Sequence, residues 1–263
     1  MQRFHPFIYF GLTLLFTWIV GFILVLCQQR TLLFIILLIL GMLIPFFVAL
    51  GMILYSGDLS IFLTLPSRLF ISRDSFVSTL IFFICAGLAY VTSIFLSTLF
   101  GQSLQQFQIS KHFQHINIVL FINILVPFLA SFIEEFGWRL YGIDSLRSFY
   151  NLRDTSLWFS FFWGIWHLPL FFIPGFYQNQ LWHLGVIHVV NFFIGIVPVS
   201  FLMNWMYYKH GANIMVAALC HFSLNFFAQY FQAGAIAKII VNVIFSVAAI
   251  ALYYYDRLFF IIP

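Results

Sequence analysis

Eight stretches of the chain are apolar over about twenty residues each, at roughly 6–27, 31–55, 76–100, 116–141, 156–173, 182–207, 212–232 and 235–255. At about 1.5 Å of rise per residue, such a run crosses roughly 30 Å of hydrocarbon as an α-helix. The pattern predicts an all-α, polytopic membrane bundle of about eight transmembrane helices, including a first helix retained in place of a cleaved signal peptide. The connections are short. The one at 56–75 holds Asp58, Pro66, Arg68, Arg73 and Asp74 around the apolar run Leu59–Leu65, which suits a segment lying in the membrane interface. The one at 142–155, with Asp144, Arg147, Arg153 and Asp154, reads as a surface turn.

Composition sharpens this picture. The apolar share is 63% and the charged share 7%, against about 45–50% and about 25% in a soluble domain. No stretch is polar enough for a water-soluble domain, so 1–263 reads as a single transmembrane domain. The 38 Phe, 12 Tyr and 7 Trp are what lipid-facing and interfacial surfaces use, and no nucleic-acid partner is needed to explain them. Cys27, Cys85 and Cys220 have no CxxC spacing, which argues against a disulfide framework and a thiolate zinc site. With the N-terminus placed inside, the cytoplasmic side collects Arg3, Arg68, Arg73, Arg147, Arg153, Lys209 and Arg257, and the other side Arg30, Lys111 and Lys238. The positive-inside rule then expects both termini in the cytoplasm. A small chain without added domains suggests a bacterial plasma membrane.

An ionised side chain at bilayer depth costs on the order of 2.5–3.5 kcal/mol, so each one marks a functional hypothesis. Three clusters stand out: Ser131 to Arg139, with Glu134 and Glu135; Trp163 to Pro169, with His167; and His221 to Asn225. Adjacent helical residues diverge by about 100°, so the two glutamates cannot do one job. Glu135 and Arg139, at i,i+4, can pair, which frees Glu134 to look elsewhere. His221 and Asn225 share a helix face, and Pro169 loosens the helix beside His167. Counted from the helix ends, Glu134, His167 and His221 lie at similar depth, roughly 10–17 Å below the cytoplasmic surface. A shared polar cavity is the economical way to satisfy them in lipid. A carboxylate with two imidazoles near water is an inventory for hydrolysis.

The ordered set Glu134-Glu135-x-x-x-Arg139, Trp163-x-x-x-His167 and His221-x-x-x-Asn225, with Trp166-His167-Leu168-Pro169 around the second, resembles the CPBP family. That family comprises the type II CAAX prenyl endopeptidases (the Ras-converting enzyme), bacterial Abi proteins and bacteriocin-processing or immunity proteins. The similarity covers about residues 116–232. Trp163 departs from it, the family usually having Phe there. The resemblance implies an eight-helix bundle whose cavity opens to the cytosol and which cuts a peptide bond near the C-terminus of a prenylated or membrane-associated substrate. It casts Glu134 as the base that activates water, His167 as a positioner of that water, His221 and Asn225 as oxyanion donors, and Glu135 and Arg139 as structural support. A divalent metal such as zinc on Glu134, His167 and His221 is an open alternative to a glutamate-dependent mechanism; a His-Glu-x-x-His helix is absent.

Rivals from other classes are a proton or ion transporter with Glu134 and Glu135 as a relay, and a non-catalytic immunity or peptide-binding protein. Trp163 and Trp166 read as core packing. His5, His112, His115, His183 and His210 lie near span ends, and His188, Asn191, Asn204 and Asn242 read as packing residues. Tyr255-Asp256 lacks the partner motif of an aspartyl pair, and no Gly-x-Ser-x-Gly elbow occurs.

Overall fold

The computed structural model describes residues 4–27, 29, 31–57, 59–114 and 118–262, with the backbone alone at His112. Arg3, Arg30, Asp58 and His115, which entered the sequence reading, lie outside them. The described residues are helical and form no strand: α1 (Pro6–Leu26), α2 (Leu32–Ser56), α3 (Ser60–Leu69), α4 (Arg73–Ser97), α5 (Ile118–Gly137), α6 (Ile143–Arg147), α7 (Leu152–Trp166), α8 (Tyr177–Leu184), α9 (Val186–Lys209), α10 (Ile214–Tyr230), α11 (Ala235–Tyr255) and α12 (Arg257–Ile261).

All eight apolar runs are helices, but they are not equal. Six are long and apolar enough to span by themselves, with mean hydropathy from 2.0 to 3.1. The two others are α7, 15 residues long, and α10, 17 residues long. The chain after α7 continues as a 3₁₀ segment, Leu168–Phe172, and bends by 79° into α8. His167 is therefore the residue that caps α7, not one inside a longer helix. Pro169, the second residue of the 3₁₀ segment, cannot donate to a continuing α-ladder.

Polar caps start several elements. The side chains of Thr31, Ser72, Asn151 and Asn213 each accept from a backbone N–H in the first turn of α2, α4, α7 and α10. At Gly185, φ of +118° lets α8 break sharply into α9.

Two expectations are corrected. The 142–155 connection is no surface turn: α5 passes through a π-helical turn, Trp138–Gly142, into α6, and Ile143, Ser145 and Leu146 are fully buried. Arg68 is likewise not a free loop charge. It is buried at the end of α3, where it donates to Asp144 Oδ2 at 2.8 Å and contacts the Tyr207 hydroxyl.

Candidate active site

Glu134 and Glu135 stand in the last turn of α5, with Phe136 and Gly137 between them and the π turn, and their side chains take opposite roles. Glu135 is fully buried: Oε2 accepts from Arg139 Nε at 2.8 Å and Oε1 from His221 Nδ1 at 3.1 Å. The expected Glu135–Arg139 pair is present, and His221 joins it, a contact the sequence reading did not anticipate. Arg139 continues the network. It donates to Asn204 Oδ1, lies 4.7 Å from the Tyr207 ring centre and 5.5 Å from that of Phe159, while Asn204 donates to Ser156 Oγ at 3.0 Å.

Glu134 faces the other way, into a cavity of about 630 Å³ that Trp163, His167, His221 and Asn225 also line. Its Oε2 is buried and makes no well-formed hydrogen bond among the described residues; the Trp163 indole N–H, likewise unsatisfied, is the neighbouring donor. His167 Nδ1 lies 2.7 Å from the Trp163 carbonyl. A carbonyl only accepts, so Nδ1 carries the hydrogen and Nε2 of the neutral ring is left as the acceptor. In His221 the Nδ1 hydrogen donates to Glu135, which leaves Nε2 as the unused ring atom. One turn on, Asn225 Nδ2 donates to Ser131 Oγ at 3.2 Å, and its second hydrogen has no partner among the described residues.

The Trp163 ring touches both imidazoles, with centroids 5.8 Å from His167 and 5.3 Å from His221, the latter edge-on at 88°. It shapes the site as well as filling the core. Behind His167, Trp166 Nε1 donates to Thr17 Oγ1 at 3.0 Å and Trp18 Nε1 to the Ile165 carbonyl at 3.0 Å. A Cβ on Gly21 would stand 2.5 Å from Pro169 Cβ, so α1 packs directly against the segment that follows His167.

Among the described residues, no three His, Cys, Asp or Glu side chains are grouped closely enough to hold a metal ion. Glu134, His167 and His221 therefore do not stand as a zinc set in this conformation. Tyr255-Asp256 is accounted for separately: Asp256 accepts from Lys209 Nζ at 2.6 Å and Trp205 Nε1 at 2.8 Å.

The cavity has a direction. Its walls are Thr17 to Leu24 of α1, Leu38 to Met42 of α2, Phe192 to Val199 of α9, His221 to Gln229 of α10 and Lys238 to Phe245 of α11. All of these lie toward the end of the bundle away from Pro6 and Tyr255. The cavity thus lies toward the bundle end opposite the termini.

Sequence reading missed Ser131 as the partner of Asn225, the Thr17–Trp166 contact, and Asn242 and Lys238 in the cavity wall. Lys238 carried a signal, a cation within the first turn of an apolar helix, but was taken as a loop charge.

Comparison with known proteins gives the family of the chain. A family model described as Type II CAAX prenyl endopeptidase Rce1-like matches residues 116–227, a stretch that contains Glu134, His167, His221 and Asn225. CAAX prenyl protease 2 of Methanococcus maripaludis is 30% identical over 263 residues, covering 98% of this chain and 97% of that protein.

Proposed function

The chain belongs to the type II CAAX prenyl endopeptidase, Rce1-like, family, and from that premise we propose that it hydrolyses a peptide bond near the C-terminus of a prenylated, membrane-associated protein. The observation that carries the mechanism is the buried Oε2 of Glu134, without a well-formed hydrogen bond among the described residues, at a cavity shared with His167, His221 and Asn225. Glu134 and the free Nε2 of His167 are both acceptors, and a water between them gives one hydrogen to each. Glu134 takes the proton as the water oxygen bonds to the scissile carbonyl carbon. The charge that develops on the carbonyl oxygen is met by donors, Nε2–H of a protonated His221 and the spare Nδ2–H of Asn225. When the C–N bond breaks, the proton held by Glu134 passes to the leaving amine. Glu135 touches no reacting atom; it fixes the His221 ring and anchors Arg139.

In this reading the mouth faces the cytosol, where the resemblance expects it, and the termini face the other side. The count of basic residues is the expectation that gives way. Of the charges it used, Arg68 is buried against Asp144.

The test compares purified wild-type protein with Glu134→Gln in lipid nanodiscs, using a farnesylated peptide that ends in a Cys-aliphatic-aliphatic-X sequence. Mass spectrometry reads the products. Wild type is expected to release a C-terminal fragment and Glu134→Gln to leave the peptide intact. Equal cleavage by both, with both folded, sinks the mechanism.

A further inference from the structure

The cavity is electrically lopsided. Among its lining residues Glu134 is the one carboxylate, and Lys238 is the one lysine or arginine. Lys238 stands in the first turn of α11, and its ammonium lies 4.4 Å from the centre of the Tyr177 ring, at the start of α8. No salt bridge among the described residues involves it. An aromatic face holds a cation in position without neutralising its charge, so the ammonium remains available to an anion that enters the cavity.

The spacing between the two charges can be read along α9. The Lys238 carbonyl accepts from Asn191 Nδ2 at 3.5 Å, and Asn204 Oδ1 accepts from Arg139. From Asn191 to Asn204, α9 runs about 20 Å, and the two glutamates lie about one turn, roughly 5 Å, back from Arg139. Lys238 thus stands roughly 14 Å from the Glu134 level, measured along the bundle. Three extended residues reach about 10 Å, and a charge-assisted hydrogen bond adds about 2.8 Å. A peptide with its scissile carbonyl at Glu134 and three residues beyond it brings its terminal carboxylate to the level of Lys238.

We propose that Lys238, braced on Tyr177, captures the substrate's C-terminal carboxylate, so that the enzyme measures the distance from scissile bond to chain end. The proposal rests on the endopeptidase reading and adds a residue that sets which bond is cut. Glu134 repels the same carboxylate, so the two charges also fix which way the peptide lies in the cavity.

The test uses two farnesylated peptides of one sequence, one ending in the free acid and the other in the carboxamide, cleaved in nanodiscs of neutral phosphatidylcholine. An anionic headgroup is excluded there, and it would in any case not distinguish acid from amide. Wild type is expected to prefer the acid by tenfold or more in kcat/KM. Lys238→Met should bring that ratio near one, and Lys238→Arg should restore it, which a merely structural role would not do. A third peptide with one residue inserted after the scissile bond should be cut more slowly, or one bond further along, by wild type, and without that penalty by Lys238→Met. A ratio near one in wild type, or the same ratio in Lys238→Met as in wild type, overturns the proposal and leaves the endopeptidase reading standing. No cleavage of any peptide by wild type overturns the reading itself.

Discussion

The end of the bundle that carries the termini and the end that holds the cavity treat charge in opposite ways. Toward the termini charges are paired: Arg68 with Asp144, Arg139 with Glu135, Lys209 with Asp256. Toward the other end, among the described residues, Glu134 Oε2 makes no hydrogen bond and Lys238 has an aromatic ring in place of a carboxylate. Pairing at one end is what membrane depth demands of a structural charge. Leaving charge unpaired at the other is useful where something else is to be bound. The boundary runs between two consecutive residues, since Glu135 belongs to the first region and Glu134 to the second.

The strongest way to break that contrast is to neutralise Glu134. Glu134→Gln is expected to lower turnover by roughly 10²–10⁴-fold, the usual worth of a general base, while the thermal unfolding midpoint in detergent stays at or above that of wild type. Arg139→Leu should do the reverse, because it takes the guanidinium from the fully buried Glu135 carboxylate and leaves His221 as its remaining partner. The expected loss is about 3–5 kcal/mol of stability, read as a large drop in the same midpoint. A Glu134→Gln protein that unfolds as readily as Arg139→Leu would erase the distinction between the two regions.

Gly21→Ala probes the boundary from outside. The new methyl meets Pro169 Cβ at 2.5 Å, so the 3₁₀ segment must move and His167 with it. We expect cleavage to fall about tenfold, with a stability cost of about 1–3 kcal/mol for overpacking. Unchanged kinetics would mean that the position of His167 does not depend on α1.

The smallest effect belongs to Asp256, outside the spans. The hydrogen bond from Lys209, followed by that from Trp205, holds its carboxyl below the usual value. A depressed carboxylate adds stability above its unfolded pKa of about 3.9 and loses it as pH falls through the folded value. Asp256→Asn should therefore lower the unfolding midpoint slightly at neutral pH, and the gap from wild type should close in acid below about pH 4.

Much of this was legible in the chain before any coordinates. Apolar runs reveal helices because lipid leaves the backbone no other way to satisfy itself, and Glu135–Arg139 follows from i,i+4 geometry alone. Glu134, His167, His221 and Asn225 were found because polar side chains are rare at that depth, and all four do line one cavity. What periodicity could not supply was azimuth across helices. It could not tell that His221 would turn its Nδ1 to Glu135, or that Ser131 would engage Asn225. The buried π turn and α6 were hidden because Asp144, Arg147, Arg153 and Asp154 look like a solvated connection, whereas Asp144 receives Arg68, Tyr207 and Tyr208 in the folded chain.

The imidazoles ride on the two shortest of the eight principal helices. At about 1.5 Å per residue, α7 and α10 cover roughly 22 and 25 Å, less than the roughly 30 Å of a hydrocarbon layer. The bilayer need not adapt to either: α10 is enclosed by its neighbours, with Gln229 its one exposed residue, and the 3₁₀ segment carries the chain on beyond α7. The six longer helices set the thickness of the rim, and where the two short ones stop beneath it the bundle keeps the room in which the cavity forms.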